Sequence, residues 1–163
     1  MARSESGEAE KARDYALLLL SYRERTEKEM AERLKRKGFP PAAVAATVAD
    51  CQRLGLIDDE RFARLFVQER ARLKPRSARL IGAELGRKGV SGEVAARALL
   101  AEFVPGREEE MAADLARRAA FRLRGIDPEA ARRRLWAYLA RRGFSPEQIA
   151  AAVKTAAEEK PPK

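Results

Sequence analysis

A basic-basic-glycine stretch followed by an apolar residue occurs three times, as Arg36-Lys37-Gly38-Phe39, Arg87-Lys88-Gly89-Val90 and Arg141-Arg142-Gly143-Phe144. Its surroundings return with it. A leucine stands four residues before each glycine (Leu34, Leu85, Leu139), and Met30, Ile81 or Leu135 stands eight before. An alanine stands seven after (Ala45, Ala96, Ala150), and Val48, Leu99 or Val153 stands ten after. The glycines lie 51 and 54 residues apart. A chain so built is three copies of one small unit.

The repeated stretch has the chemistry of a turn between two helices. Apolar residues four apart put a narrow stripe on one helix face. Two basic residues in the last turn suit the negative end of the helix dipole. Glycine then takes the left-handed conformation that ends a helix at little cost, and the next apolar residue can fold back on the helix it left.

Start and stop signals divide the chain further. The first helix is expected from near Lys11 to about Tyr22, and Tyr15 to Leu20 make it apolar nearly all round, which predicts burial on more than one side. Thr26 with Glu29 forms a capping-box pattern, and Pro40-Pro41 opens a third helix with Val44, Val48 and Cys51 on one face. Gly55 closes the first unit, and Asp58 or Asp59 caps the next helix. Ser77 and Ser91 are caps in the middle unit; Asp127-Pro128 and Ser145-Pro146-Glu147-Gln148 are helix starts in the last. The predicted organisation is a flexible N-terminus (1–10), three-helix repeats at 11–57, 58–105 and 106–157, and a flexible C-terminal tail (158–163). The expected fold class is all-α, with three tandem helix-turn-helix-like repeats that share cores and form an elongated curved rod. A single compact bundle is the competing layout.

Composition narrows the function. Charged residues make up 36% of the chain and the net charge is +9. The excess is spread across the repeats: residues 1–57 carry 11 basic and 9 acidic side chains, 58–105 carry 10 and 7, and 106–163 carry 13 and 9. Glu29–Arg33 and Glu32–Arg36 have the spacing of helix ion pairs, yet pairing leaves the surplus unexplained. An anionic partner is expected, a nucleic acid or a nucleoprotein. With one cysteine and no histidine, internal disulfides and imidazole chemistry are excluded, and neither a metal site nor a cofactor is expected. The Asp58-Asp59 pair has no supporting carboxylate, histidine or phosphate loop, so no catalytic residue is assigned and an enzyme is not expected. No apolar run is long enough to span a bilayer, and no small-molecule substrate is implied. A cytoplasmic monomer is expected.

Several stretches resemble the RecX family of bacterial modulators of the RecA recombinase. They are Ala16-Leu17-Leu18-Leu19-Leu20-Ser21-Tyr22-Arg23, Gly55 to Ala63 with its Ile57-Asp58-Asp59 core, Glu84 to Val90, and Arg142-Gly143-Phe144. The resemblance covers roughly residues 11 to 157. One turn departs from it: where the family usually holds glycines around a proline, this chain has Leu73-Lys74-Pro75-Arg76. The resemblance implies a non-enzymatic protein that lodges in the groove of the RecA–DNA filament. It would restrain ATP hydrolysis, strand exchange and coprotease activity, and bind DNA directly but weakly.

The residues expected to meet the filament or DNA are the basic run of the middle repeat, Arg70, Arg72, Lys74, Arg76 and Arg79, with Arg87 and Lys88. Little acidic sequence lies close enough to neutralise that run. Trp136 is expected to pack between helices or repeats, with an exposed anchor for a partner as the alternative. The alternative function is a helix-turn-helix protein that reads duplex DNA. The helices after the glycines weigh against it: residues 42–49 and 148–153 hold no basic side chain, and 92–99 hold only Arg97.

Overall fold

The computed structural model describes residues 2–158, with side chains from Gly7 onward. Among the described residues there are nine helices and no strand: α1 (Ala2–Tyr22), α2 (Glu27–Lys37), α3 (Pro41–Arg53), α4 (Asp59–Arg72), α5 (Ala78–Arg87), α6 (Gly92–Glu102), α7 (Arg107–Arg122), α8 (Pro128–Ala140) and α9 (Pro146–Glu158). They fall into the three expected trios. Helix α1 begins at Ala2 rather than near Lys11, through a stretch in which the helix formers Ala, Arg and Glu outnumber Ser4, Ser6 and Gly7. Of the expected tail, Glu158 belongs to α9 and residues 159–163 lie outside the described residues.

The caps are those the sequence announces. The Thr26 hydroxyl accepts from the Glu29 N–H at 3.1 Å. Ser77, Ser91 and Asp127 do the same for Leu80, Val94 and Ala130. Ser145 and Gln148 cap each other reciprocally, at 2.9 and 3.2 Å. Of the two aspartates, Asp58 caps α4 by accepting from the Arg61 N–H. Gly38, Gly89 and Gly143 have φ of 99°, 88° and 86°, the left-handed turn expected at all three. At the first two, the N–H of the following residue reaches back to Leu34 or Leu85, as in a Schellman motif.

Two compact units are present. Residues up to Phe66 together with Glu84–Ala98 form one, and Val67–Ala83 together with those from Leu99 onward form the other. The first has a core of Ala12, Ala16 and Leu19 from α1, Met30 and Leu34 from α2, and Val44, Val48 and Cys51 from α3. In the second, Met111, Leu115 and Ala116 of α7 meet Leu139 of α8, Phe144, and Ile149 and Ala152 of α9. The leucines four before the glycines are fully buried in all three trios, so truncating any one would cost about 2–5 kcal/mol.

One expectation is corrected. Helix α1 buries one face only: Leu17 and Leu18 are 44% and 51% exposed. The alanines seven after each glycine, Ala45, Ala96 and Ala150, face solvent. The repeated core positions lie beside them, at Val44, Ala95 and Ile149 and at Thr47, Ala98 and Ala152, all buried.

A joint occurs twice, once in each unit. In the first, the Thr26 hydroxyl donates to the Lys88 carbonyl at 2.6 Å, and the Glu27 N–H donates to the Asp59 carboxylate at 3.0 Å. The Lys28 ammonium donates to the Arg87 carbonyl at 3.3 Å. In the second, the Ser77 N–H donates to the Arg142 carbonyl at 2.9 Å, the Ala78 N–H to the Glu108 carboxylate at 2.9 Å, and the Arg79 guanidinium to the Gly143 carbonyl at 3.4 Å. In each, the start of one trio's second helix seats the turn glycine of the following trio, and a carboxylate from that following trio satisfies an orphan N–H of the helix start. A Cβ on Gly89 would stand 2.4 Å from Lys28 Cβ; one on Gly143 would stand 2.5 Å from Ser77 Oγ and 2.7 Å from Leu80 Cβ. A Cβ on Gly38 would meet nothing within 4 Å.

The three turn glycines therefore differ in their tolerance of alanine. Gly38→Ala carries only the left-handed backbone penalty, about 1–2 kcal/mol. Gly89→Ala and Gly143→Ala add a clash and are expected to cost about twice that or more. Denaturant unfolding of the three variants checks the order, and equal losses at all three positions would contradict the seating of the second and third turns.

Candidate surface for an anionic partner

The middle basic run divides between the two units. Arg70, Arg72, Lys74, Arg76 and Arg79 belong to the second; Arg87 and Lys88 belong to the first. Within the second unit, α4 ends at Arg72 and a short irregular segment through Pro75 leads to the Ser77 cap. Arg72 and Lys74 are exposed, while Arg70 and Arg76 are half-buried. Glu69 accepts from Arg70 at 3.0 Å and lies 3.9 Å from Lys74, and Glu102 lies 3.9 Å from Arg72. The run is therefore less free of acid than its local sequence suggests, because Glu102 is distant in sequence. Arg79 spends its guanidinium on the Gly143 carbonyl.

A cleft of about 490 Å³ opens beside this segment, with Ala71, Arg72 and Pro75 on one wall and α7 on the other. Helix α7 contributes Arg107, Arg117 and Arg118, against Glu110 and Asp114. Asp114 is held by Arg118 at 2.8 Å. Counting Arg72 opposite, four arginines against two carboxylates leave the cleft positive. The α7 arginines were absent from the sequence-based set; the adjacent Arg117-Arg118 pair was their only local signal.

Lys88 has a different environment. Its ammonium lies 2.7 Å from Glu29 and 5.6 and 5.7 Å from the ring centroids of Phe62 and Phe66. Arg23 holds the same carboxylate at 2.9 Å. Glu29 and Glu32 do not pair with Arg33 and Arg36 as their spacing suggests: Arg23 and Lys88 take Glu29, and Lys28 stands 4.0 Å from Glu32. Burial disfavours the charged form of Glu29, but the hydrogen bonds from Arg23 and Lys88 outweigh it and hold its pKa at about 2. Asp59, in the same joint, is shifted up by its burial. Arg87 is exposed, and its carbonyl rather than its side chain enters the joint.

Glu29 thus links acid stability to the first joint. Its folded pKa lies below the ordinary carboxylate value of 4.5, so its contribution is complete above that value and is lost as pH falls toward 2. Glu29→Gln is expected to remove about 2 kcal/mol at pH 7 and to flatten the loss of stability between pH 4.5 and 2.5. Lys88→Ala should destabilise by a similar amount, whereas Arg72→Ala should stay within about 0.5 kcal/mol. Denaturant melts across this pH range read all three; parallel acid limbs for the parent and Glu29→Gln would refute the linkage.

Three family models match the chain in order: the first three-helix domain of RecX at residues 12–51, the second at 58–99 and the third at 107–153. The regulatory protein RecX of Amycolatopsis mediterranei is 39% identical over 134 residues, covering 82% of this chain and 76% of the relative. That of Streptomyces coelicolor is 34% identical over 163 residues, covering 97% and 86%. The crystal structure of RecX from Lactobacillus salivarius superposes with a TM-score of 0.77 at 22% identity, over 93% of this chain and 98% of that one. With a family domain on each helical trio and curated relatives matched over most of their length, the chain belongs to the RecX family of regulatory proteins.

Proposed function

We propose that this protein binds the RecA–DNA filament in its helical groove and restrains it, lowering ATP hydrolysis, strand exchange and coprotease activity without catalysing a reaction of its own. The observation that carries this reading is the match of all three RecX domains, in order, along one chain. The surplus of nine positive charges supports an anionic nucleoprotein as partner. The contacts are assigned to the exposed part of the middle run, Arg72 and Lys74, with Arg76 beside them and Arg107 and Arg118 across the cleft. Weak contacts spread over three trios would add by avidity. The protein acts in the cytoplasm, as a monomer, and its direct affinity for bare DNA is low. Reading of duplex bases by the helices after the turns is disfavoured, since Arg97 is held between Glu60 and Glu93, Arg53 lies at the last position of α3 on Asp50, and Lys154 stands 3.9 Å from Glu158.

The test compares RecA-coated single-stranded DNA with bare DNA. Bare DNA offers phosphate attraction that falls steeply with salt, whereas a protein groove adds apolar and shape contacts that salt hardly touches. At about 150 mM salt, where exposed charges are screened beyond roughly 8 Å, filament binding is expected to persist while bare-DNA binding fades. The variant Arg72→Glu/Lys74→Glu should weaken filament binding and relieve the inhibition of ATP hydrolysis with its helicity unchanged. Tight, sequence-dependent binding to naked duplex, indifferent to RecA, would overturn this function.

A further inference from the structure

The third trio departs from the other two at the positions that make the joint. Those positions lie 11, 10 and 9 residues before the turn glycine: Glu27, Lys28 and Glu29 in the first trio, and Ala78, Arg79 and Leu80 in the second. In the third they are Arg132, Arg133 and Arg134. The helix start has also moved. Thr26 and Ser77 stand 12 before their glycines, but the equivalent Ala131 lies inside α8, which is capped one turn earlier by Asp127. All three arginines are exposed. A face that elsewhere seats a neighbouring turn is here open and basic.

Its surroundings are equally distinctive. Trp136, expected to pack between helices, is 38% exposed and lines a shallow cleft with Arg132 and Arg133. The equivalent residues in the first two trios are the small Ala31 and Gly82. Across Ala137 a second cleft, of about 410 Å³, runs between α7 and α8. Its floor is apolar, from Ala119, Leu123 and Leu135, and its rim carries Arg122, Arg134 and Arg141. Among the described residues none of these three has a carboxylate partner. Tyr138 borders the cleft with one ring face covered by the Arg142 guanidinium, 3.7 Å away. Residues 119–142 hold seven arginines against two carboxylates, so the third trio concentrates its charge here. Phe121, at the end of α7, is 60% exposed.

We propose that this α7–α8 face is a binding site for single-stranded nucleic acid, with Arg122, Arg134 and Arg141 on the phosphates and Trp136 as a stacking platform. The surface is distinct from the Arg72 and Lys74 face, and the site acts on bare strand without a protein partner. Unpaired arginines supply the sequence-independent phosphate attraction, and an exposed indole beside an apolar cleft accepts the face of an unstacked base. A duplex keeps its bases stacked and would leave the indole without a partner. An acidic polypeptide would engage the arginines but has no planar group for Trp136.

Trp136 is the only tryptophan, so its emission reports on this face alone. Titrating the full chain, without RecA, with a thymidine oligonucleotide of about 20 residues should quench that emission saturably. Trp136→Ala, followed by anisotropy of a labelled oligonucleotide, should weaken binding by about tenfold. Arg134→Ala/Arg141→Ala should reduce the slope of log affinity against log salt by about 1.4, two phosphate contacts on a single strand. Arg72→Glu/Lys74→Glu should leave the quenching in place, which separates this site from the filament surface. Circular dichroism should match the parent in every variant, because the altered side chains are exposed. The proposal is overturned if the oligonucleotide binds without changing Trp136 emission. It is equally overturned if the Trp136 or arginine variants bind like the parent, or if a duplex of the same length or poly-glutamate quenches as strongly.

Discussion

Seating a glycine turn on the start of a helix is the contact on which this fold depends. A helix start exposes N–H groups that the helix itself cannot satisfy. Here the cap residue satisfies one, and a carboxylate from the following trio, Asp59 or Glu108, satisfies another. The caps Thr26 and Ser77 are fully buried polar residues, tolerable only because each is bonded both within its helix and across the joint. The approach is close enough that the seated turn has no room for a Cβ. Glycine at 89 and 143 therefore meets two demands, backbone conformation and contact distance, and glycine at 38 meets one.

The local devices were legible in the sequence because their physics is local. Caps, glycine stops and the stripe four and eight residues before each glycine depend on neighbours within one helix or turn. The three trios followed from them. The face expected for α3, with Val44, Val48 and Cys51, is the buried one; the alanine that recurs seven after each glycine faces solvent, where alanine recurs simply as the best helix former. Val44, Ala95 and Ile149 share burial without sharing a residue type, so identity at a fixed spacing does not by itself mark the buried register. Helix α1 misled in a similar way. Its run of leucines suggested burial on more than one side, and only the face of Ala12, Ala16 and Leu19, with Tyr15 and Leu20 packed beside it, meets the core.

What required the structure was every contact that joins one trio to another. Asp59 looked like a spare helix cap and instead caps the helix beginning at Glu27, 32 residues earlier. Lys88 looked like part of a basic surface run and instead holds Glu29, 59 residues earlier, over two phenylalanine rings. One signal for the joint was present and went unread: Thr26 and Ser77 stand at the same distance before their glycines, so two hydroxyl caps recur with the turns.

The basic surplus is accordingly not a uniform coat. Charges that close a joint or an ion pair are committed to the fold: Lys28, Arg79 and Lys88 in the joints, Arg61 on Glu24, and Arg97 between Glu60 and Glu93. Such groups are poor candidates for partner contact, since recruiting them would break an existing bond before making a new one. Even spread along the sequence therefore conceals an uneven supply in space. In the third trio Arg132 and Arg133 share Glu129, but Arg122, Arg134 and Arg141 close no ion pair among the described residues and line one cleft beside the displaced start of α8. That coincidence has a structural cause. Once α8 starts a turn earlier, positions that elsewhere must match a neighbouring turn are released from that constraint. A row of arginines can then occupy them without cost to the core, because Leu135 and Leu139 keep the buried stripe unchanged.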